Sequence, residues 1–402
     1  ANAQRVVTPY SVMWDGLRDT GTGTALGVEP VAADLSGLLN LSGTTHTDPG
    51  TYNGDVWIFA GDVNYLGAAG TVDNYIAPAR FAISGTLKYH KAYGTNIPLN
   101  NVTIGLADET FTLIDNYTIQ SGAGGAYVFE DLVPGNYYLT VLNNPKAPGG
   151  INSSDATTAN YWSVNGGVIP QARFQAGDVS DDLLIYSGDA LGMQRYFVYG
   201  DPFPRVNNTG TAWTYYNADS TITDNFNPGL GAIAQEMNVT LGYANKVVDI
   251  LAVVIGDFNT SYNPVPGKEA ASTSLFLDHD GTIKAEANTE IEVPVRIVNA
   301  SELTAISLIL NFPSELAEIT GVTMKGSNGQ LDWAATGNEL RIGWNGLLGL
   351  PFAAGEKMIT VKMRTTSAFT LGQSLMLTLA ADPLNELAGA DRNVIPDAVL
   401  GS

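Results

Sequence analysis

Short stretches in which apolar and polar residues alternate, separated by turn signals, are the feature that most restricts the fold of this chain. They run from 81 to 142, as in NNVTIGLAD and TFTLIDNYTIQ, and again from 275 to 400, as in TEIEVPVRIVN and GEKMITVKMRTT. Residues that alternate in this way form strands with one buried face. We therefore predict a mainly β protein of several antiparallel β-sandwiches, with a small insertion of short helices and a calcium loop.

The chain has 402 residues, more than a single hydrophobic core usually serves, so several domains are expected. Changes of pattern divide it into five parts. These are an N-terminal β-rich region at 1–80, a β-sandwich at 81–143, a short-helix region at 144–200, a β-rich extension at 201–266 and a second sandwich at 275–402. The small, polar segment 267–274 is predicted to be the linker before the last part.

Charge, cysteine content and hydropathy exclude several classes of protein. The 19 basic and 40 acidic residues give a net charge of −21, which repels nucleic acid and favours divalent cations. There is no cysteine, which excludes disulfides and thiolate metal sites. No stretch approaches eighteen continuous apolar residues, and the first residues lack the features of a signal peptide. We expect a mature, secreted chain of the extracellular space or bacterial cell surface that does not span a membrane.

Two stretches, SSDATTANYWSVNG and SGDALGMQRYFVYG, predict short helices. Each starts with a capping pattern and ends in an aromatic cluster followed by Gly. The stretches form an internal repeat in which Asp155 matches Asp189, thirty-four residues further on. The acidic residues in front of the second helix predict an ion-binding loop.

The segment from Asp178 to Asp189 has the spacing of a calcium loop. Calcium takes six to eight oxygen ligands, supplied by side chains at loop positions 1, 3, 5 and 12 and by a backbone carbonyl at 7. The residues at these positions are Asp178, Ser180, Asp182, Leu184 and Asp189. Leu183 stands at position 6, where Gly usually makes the sharp turn. The alternative is that Asp178 and Asp189 are turn and N-cap residues without a metal.

The corresponding loop before the first helix is degraded. Asn144, Lys146 and Pro148 fall at its positions 1, 3 and 5, and a cationic Lys at a ligand position argues against ordinary coordination. An irregular calcium site before the first helix and the absence of any site there are equally open. Such a site would use carbonyl groups of PKAPGG together with Asn152 and Asp155, because the Gly pair lets the backbone curl.

The pattern Gly-Asp-Val or Gly-Asp-Phe, followed by Asn or Ser, occurs at 61, 177 and 256. In the first copy Asp62, Asn64 and Asp73 occupy loop positions 1, 3 and 12. In the last copy Asp257 and Asn259 occupy positions 1 and 3, and position 12 is Lys268. A turn closed by the Asp side chain is the favoured interpretation of each. A tertiary calcium site shared by these loops and the helical repeat is the open alternative.

Three segments resemble known families. GAYVFEDLVPGNYYLTV resembles a carboxypeptidase-regulatory-like, or prealbumin-like, module; the two short helices with their acidic loops resemble a dockerin type I module; and the strand order after 275 resembles a cohesin-like sandwich. Together they resemble a secreted, Bacteroidetes-like multidomain surface protein. The dockerin resemblance implies bound calcium. Because a dockerin binds a cohesin, the pair implies either head-to-tail assembly into a homo-oligomer or homopolymer, or packing of the two modules within one chain.

Catalytic motifs are missing from the sequence. His46, His90 and His279 are isolated, and there is no nucleophile elbow or phosphate-binding loop, so we expect no enzyme. Trp213, Tyr215 and Tyr216 are candidates for stacking on a sugar, with core packing as the favoured alternative. We expect a calcium-stabilised structural or adhesive protein that assembles into a filament or surface layer. The alternative is a set of carbohydrate-binding or scaffold modules that recognises a glycan, a cell-surface partner or a foreign dockerin without self-assembly.

Overall fold

The computed structural model describes residues 1–28, 32–224, 237–264, 275–278, 283–326, 329–395 and 398–400. Strands take up 46% of the chain and helices 13%, which confirms the predicted mainly β fold. The predicted linker at 267–274, together with Lys268 and His279, lies outside the described residues. Among the described helices, none is long and apolar enough to cross a membrane.

The chain forms two compact units. One comprises 1–84, 128–137 and 238–247, and the other comprises 85–127, 138–237 and 248–402. The finer division into five parts stays a prediction. Asp62, Asn64 and Asp73 belong to the first unit, whereas all the other candidate calcium ligands belong to the second.

The first unit is built around a long hairpin. Its first eight strands are β1 (Gln4–Thr8), β2 (Ser11–Met13), β3 (Asp19–Thr20), β4 (Thr22–Leu26), β5 (Leu39–Asn40), β6 (Thr45–His46), β7 (Gly50–Phe59) and β8 (Ala68–Ala77). β7 and β8 are antiparallel, with β5 beside β7 and β2 parallel to β8. The core of this region is small and is centred on Ala3, Ala25 and Phe59.

The next strands form where the alternating pattern that begins at 81 predicts them. They are β9 (Phe81–Tyr89), β10 (Ile97–Pro98), β11 (Thr103–Ala107), β12 (Leu113–Gln120), β13 (Ala126–Leu132) and β14 (Gly135–Asn143). In the second unit β11 runs antiparallel to both β12 and β14. Ile104, Leu106 and Leu139 are fully buried there, so this strand trio presents an apolar face to the core.

Four helices follow: α1 (Ser153–Asn165), α2 (Gln171–Gly177), α3 (Ser187–Tyr199) and α4 (Pro204–Thr209). α1 and α3 match the two helices predicted from the internal repeat to within one residue. Asn152 caps α1 by accepting the Ser154 N–H at 2.8 Å. α1 and α3 stop at Gly166 and Gly200, whose φ angles of +66° and +75° suit Gly far better than other residues.

A second group of strands carries the chain past the helices. These are β15 (Ile169–Pro170), which precedes α2, and then β16 (Trp213–Asn217), β17 (Thr221–Ile222), β18 (Met237–Leu241), β19 (Lys246–Val247) and β20 (Ile250–Val254). β20 is buried throughout, and pairs with β16 on one side and with β9 on the other. Because Asp257 follows three residues after β20, this strand fixes the position of the last Gly-Asp motif.

The last part of the chain is a sandwich of the predicted kind. Its strands are β21 (Leu275–Asp278), β22 (Glu290–Ile297), β23 (Ser301–Asn311), β24 (Ala317–Met324), β25 (Gln330–Thr336), β26 (Glu339–Phe352), β27 (Lys357–Thr365), β28 (Thr378–Leu379), β29 (Glu386–Gly389), β30 (Val394–Ile395) and β31 (Ala398–Leu400). One sheet has the order β24-β27-β22-β21-β31, and the other β25-β26-β23-β29-β30. β23 is buried from Leu303 to Leu310, on both of its faces, so a second layer covers the outer face of its sheet.

Candidate functional site

The layer that covers the outer face of β23 consists of α1 and α3. Both helices contact strands of the β25-β26-β23-β29 sheet, and they also pack against each other. Polar side chains hold this contact together. The Ser153 N–H donates to Ser307 Oγ at 2.9 Å, and Asn345 Nδ2 donates to Gln194 Oε1 at 2.6 Å. The helices α1 and α3 and the last sandwich therefore pack together within one chain.

Apolar contact and a close approach complete this interface. Phe197 and Val198 of α3 form a buried cluster with Ile309 of β23. Gly343 of β26 lies directly under the helices, since a Cβ atom there would be 2.7 Å from Ser153 Oγ and 2.9 Å from Val198 Cγ2. A Cβ at 343 would therefore force the Ser153 and Val198 side chains to shift.

In front of α3, the predicted calcium loop is closed by backbone hydrogen bonds to its two end carboxylates. Both Asp178 and Asp189 are fully buried. Four N–H groups reach them: Asp182 to Asp178 Oδ1 at 3.0 Å, Leu183 to Asp178 Oδ2 at 3.0 Å, Ser180 to Asp189 Oδ1 at 2.9 Å and Tyr186 to Asp189 Oδ2 at 3.0 Å. The structure thus brings the two ends of the predicted loop together.

The remaining candidate ligands of this loop lie on its rim. Asp182 Oδ1 accepts the Leu184 N–H at 3.0 Å, and Ser180 Oγ lies 3.4 Å from Asp178 Oδ1. Leu183 adopts a φ of +69°, the left-handed conformation in which a Gly is expected at position 6. The loop therefore keeps the sharp turn in spite of the Leu side chain, and strain at this residue is the consequence.

A buried arginine that the sequence analysis missed joins the first loop. Arg205, near the start of α4, places Nη1 2.7 Å from Asp178 Oδ2 and 2.9 Å from Asp181 Oδ1, and only 6% of its side chain is exposed. It also donates to Gln175 Oε1. Burial raises the pKa of Asp178 while the guanidinium lowers it, and burial raises the pKa of Asp189 to about 6. The first loop therefore contains its own fixed cation.

In front of α1, a second loop repeats the hydrogen bonds of the first. Asp257 takes the place of Asp178, Asp155 that of Asp189 and Asn259 that of Ser180. The four matching bonds run from the Ser261 N–H to Asp257 Oδ1 at 3.1 Å, Tyr262 to Asp257 Oδ2 at 3.2 Å, Asn259 to Asp155 Oδ1 at 2.9 Å and Asn152 to Asp155 Oδ2 at 2.8 Å. Thr260 has a φ of +58°, as Asp181 has +66°. The loop missing before α1 is thus supplied by residues 257–262.

The segment PKAPGG packs against the second loop. Asn144, expected at loop position 1, instead donates through Nδ2 to the Tyr215 hydroxyl at 3.1 Å. Gly150 has a φ of +89° and lies against Tyr262, where a Cβ would be 2.4 Å from that residue's own Cβ. Tyr262 in turn donates to the Ala147 carbonyl at 2.5 Å. The Gly pair is needed for this close backbone approach.

The second loop also receives a carboxylate from the sandwich. Glu386, at the start of β29, accepts a hydrogen bond from Asn152 Nδ2 at 2.8 Å, and the same oxygen lies 2.6 Å from Ser154 Oγ. Tyr89 donates its hydroxyl hydrogen to Asp257. Burial raises the pKa of Asp155, Asp257 and Glu386, and the charge of Asp257 raises the pKa of the other two further. Among the described residues these three carboxylates form no ion pair like that of Arg205.

The two loops differ in how well they suit a divalent cation. A carboxylate offers about four lone-pair sites. Two backbone donors reach Asp155, and two backbone donors and the Tyr89 hydroxyl reach Asp257, so each carboxylate keeps at least one site for an ion. In the described part of the chain no three His, Cys, Asp or Glu side chains form a ready-made metal cluster, so a cation would also draw on amide, hydroxyl and carbonyl oxygens. Because the second loop lacks a counterpart of Arg205, its donor set fits calcium better.

The first Gly-Asp motif forms a different structure. Asp62 Oδ1 accepts the N–H groups of Asn64 and Tyr65 at 2.8 and 2.9 Å, which makes an exposed turn at the tip of the β7–β8 hairpin. Asp73 lies within β8, about 16 Å along the strand from Ala68, and accepts the Gly54 N–H at 2.8 Å. The structure does not join Asp73 to Asp62 or Asn64 by a hydrogen bond.

The aromatic and imidazole candidates are engaged in packing. Trp213, Tyr215 and Tyr216 are each less than 10% exposed, so the favoured interpretation, core packing, applies to them. His46 pairs with Asp55 at 2.8 Å, and burial lowers the pKa of His90 to about 4. These groups offer no exposed surface for stacking on a sugar.

Comparison with known proteins gives matches to solved structures only. No protein-family model matches, and no curated protein matches. A non-cellulosomal cohesin from the hyperthermophilic archaeon Archaeoglobus fulgidus is 29% identical, with 32% of this chain and 87% of that chain covered and a TM-score of 0.26. A type I cohesin–dockerin complex from Clostridium thermocellum is 18% identical, with 34% and 94% covered and a TM-score of 0.27.

A third match is the cohesin module of a family 33 glycoside hydrolase from Clostridium perfringens. It is 10% identical, with 32% of this chain and 100% of that chain covered, and its TM-score is 0.26. Each of these matches covers about a third of this chain at a low TM-score. The function therefore has to be derived from the geometry of this chain alone.

Proposed function

We propose that this chain is a non-enzymatic, calcium-stabilised structural or adhesive protein of the extracellular space or bacterial cell surface. The observation that carries the proposal is the pair of matched loops, in which buried Asp carboxylates join the start of α1 to residues 257–262 and the start of α3 to the segment just before it. An anionic group sealed from water needs a partner charge or must take up a proton. Calcium supplies that charge, and it prefers the hard oxygen donors found here.

Each loop has its own set of candidate ligands. In the first loop these are Asp178, Ser180, Asp182, the Leu184 carbonyl and Asp189. In the second they are Asn152, Asp155, Asp257 and Asn259. Bound calcium would fix the loops relative to the helices, and an ion present at a hundred times its dissociation constant stabilises the native state by about 2.7 kcal/mol. Such a contribution matters in a chain without disulfides.

The intrachain contact of α1 and α3 with the sandwich bears on assembly. The helix faces that a second copy would need for head-to-tail docking already lie against the chain's own β23 and β26. Head-to-tail assembly through this contact therefore requires that the sandwich be exchanged between copies, as in domain swapping. We propose the intrachain contact as the resting arrangement and exchange of the sandwich as the route to a filament.

Thermal unfolding with light scattering in parallel tests this proposal. The full chain is unfolded in calcium and after chelation, together with Asp257→Asn and with Asp219→Asn, a turn residue outside both loops. We expect calcium to raise the Tm of the wild-type chain and of Asp219→Asn, and to raise that of Asp257→Asn less. A Tm that does not respond to calcium would overturn the calcium role, and a strictly monomeric chain at high concentration would overturn assembly.

A further inference from the structure

An exposed aromatic group in the first unit takes no part in either loop. Tyr243 lies in the turn between β18 and β19 and is 66% exposed. The Trp14 ring lies against it, with ring centres 4.5 Å apart at an interplanar angle of 34°, and the Phe81 ring meets it edge to face at 6.4 Å. The backbone of Trp14 is held in turn, since its N–H donates to the Ala77 carbonyl at 2.8 Å. The chain therefore keeps a large planar ring in a set orientation at its surface.

A cleft of about 330 Å³ lies beside these rings, with Phe81 in its wall. Its polar lining consists of Arg80, Glu130, Asp131 and Asn245. Two hydrogen bonds hold this wall. Arg80 Nη1 donates to the Asp131 carbonyl at 2.8 Å, and Asn245 Oδ1 accepts a backbone N–H of β9 at 2.9 Å. The polar side chains are thus positioned before any ligand is bound.

The polar groups that remain in the cleft include both donors and acceptors. Within the described part of the chain, the Glu130 carboxylate, the Asn245 amide nitrogen and the other N–H groups of Arg80 make no hydrogen bond. Sugar hydroxyl groups both donate and accept, so a mixed set of this kind matches them. Arg80 opposes a cation in the cleft, and the carboxylates of Glu130 and Asp131 oppose an anion. The charges therefore favour a neutral ligand rich in hydroxyl groups.

We propose that this cleft binds a neutral oligosaccharide, with one sugar ring packed on Tyr243 and its hydroxyl groups hydrogen-bonded to Arg80, Glu130 and Asn245. An aromatic ring combines a large apolar face with low conformational freedom, and a ring that is already held in place loses little entropy on binding. This inference builds on the adhesive part of the proposed function and gives it a ligand class. It needs neither calcium nor assembly, so each can fail without the other.

Native affinity electrophoresis of the full chain tests the site, because an acidic protein migrates readily and is retarded by a polysaccharide that it binds in the gel. The gels contain mannan, xylan, galactan or β-glucan, with polygalacturonate as the anionic comparison. The variants are Tyr243→Ala and Glu130→Ala, both at exposed positions. Tyr93→Ala is the matched control, since Tyr93 is 68% exposed and does not line the cleft.

We expect at least one neutral polysaccharide to retard the wild-type chain and Tyr93→Ala equally, in calcium and in chelator alike. Tyr243→Ala should weaken that binding roughly tenfold, and Glu130→Ala roughly three- to tenfold. The proposal is overturned by the absence of retardation in every neutral polysaccharide, or by retardation in polygalacturonate alone. Wild-type affinity in either Tyr243→Ala or Glu130→Ala would overturn it as well.

Discussion

The loop at 178–189 and the loop at 257–262 hold their helices with the same four hydrogen bonds, yet the chain builds them in different ways. The first is contiguous with its helix, whereas the second is separated from Asp155 by about a hundred residues. Their ionisable partners differ too, since Arg205 pairs with Asp178 in the first loop, whereas Glu386 brings a further carboxyl group to the second. One local geometry thus serves two purposes, a self-contained junction and a junction between distant segments.

The largest effect is expected from Arg205→Met, which leaves Asp178 buried without its partner. Loss of one member of a buried ion pair costs about 3–5 kcal/mol, and calcium should recover part of it because the ion replaces the lost charge. Urea unfolding in chelator and in calcium measures this. Arg195→Met is the control, since Arg195 pairs with Asp201 on the surface and contributes at most about 1 kcal/mol. Equal losses in the two variants would contradict the role given to Arg205.

A smaller effect is expected from pH in the absence of calcium. Asp189 has a pKa of about 6 in the folded chain against 3.8 for an ordinary Asp, so the folded state holds its proton more tightly than the unfolded state does. Stability from this group is therefore present below about pH 4 and is lost as pH rises through 6. The loss is at most about 3 kcal/mol.

Urea unfolding at pH 4 to 7 in chelator measures that loss, with Asp189→Asn as the comparison. The Asn variant lacks the titrating group and should depend less on pH. Calcium should reduce the pH dependence in the wild-type chain, because it binds the ionised carboxylate. A wild-type chain that gains more stability than Asp189→Asn between pH 4 and 6 in chelator would contradict the assignment.

Gly343→Val tests the contact that both loops support. A side chain at this position would meet Ser153 of α1 and Val198 of α3, and overpacking of this kind costs about 1–3 kcal/mol. Gly321→Val on β24 is the matched control, since the nearest atoms to its Cβ belong to the flexible Lys362 side chain at 3.6 Å. Urea titration of Gly343→Val and Gly321→Val gives the free energy of unfolding of each variant. Similar losses in both variants would mean that the helices do not rest on this sheet.

The smallest effects are expected from Gly at one left-handed position of each loop. Leu183→Gly relieves strain of about 1 kcal/mol or more, offset by the entropy of Gly, so its stability should change little or rise. Thr260→Gly relieves similar strain but removes the hydroxyl that accepts the Ala92 N–H at 2.7 Å, so it should destabilise by about 1 kcal/mol. Thermal unfolding in chelator measures the Tm of both variants. A Thr260→Gly variant with a higher Tm than Leu183→Gly would contradict the comparison of the loops.

The hydrogen-bonded loop at 178–189 could be predicted because the spacing of its residues is local, whereas calcium binding by it stays a prediction. Asp178 and Asp189 stand at fixed positions around one turn, and the caps of α1 and α3 follow from nearby residues. Asp257 lies in the same loop as Asp155 because of the position of β20 in its sheet. No local sequence pattern encodes that position. The recurring Gly-Asp motif drew attention to Asp257 and Asn259 without showing their partner. No sequence pattern points to Arg205 or Glu386, because their contacts with the loops arise only from tertiary packing.

The number of calcium ions bound to the full chain tests the central claim most directly. Equilibrium dialysis with elemental analysis gives that number for the wild-type chain, Asp178→Asn and Asp257→Asn. We expect two ions in the wild type and one in each variant, since each substitution removes an end carboxylate from one loop. Absence of bound calcium in the wild-type chain, or two ions retained in Asp257→Asn, would contradict the claim that each loop binds one calcium ion.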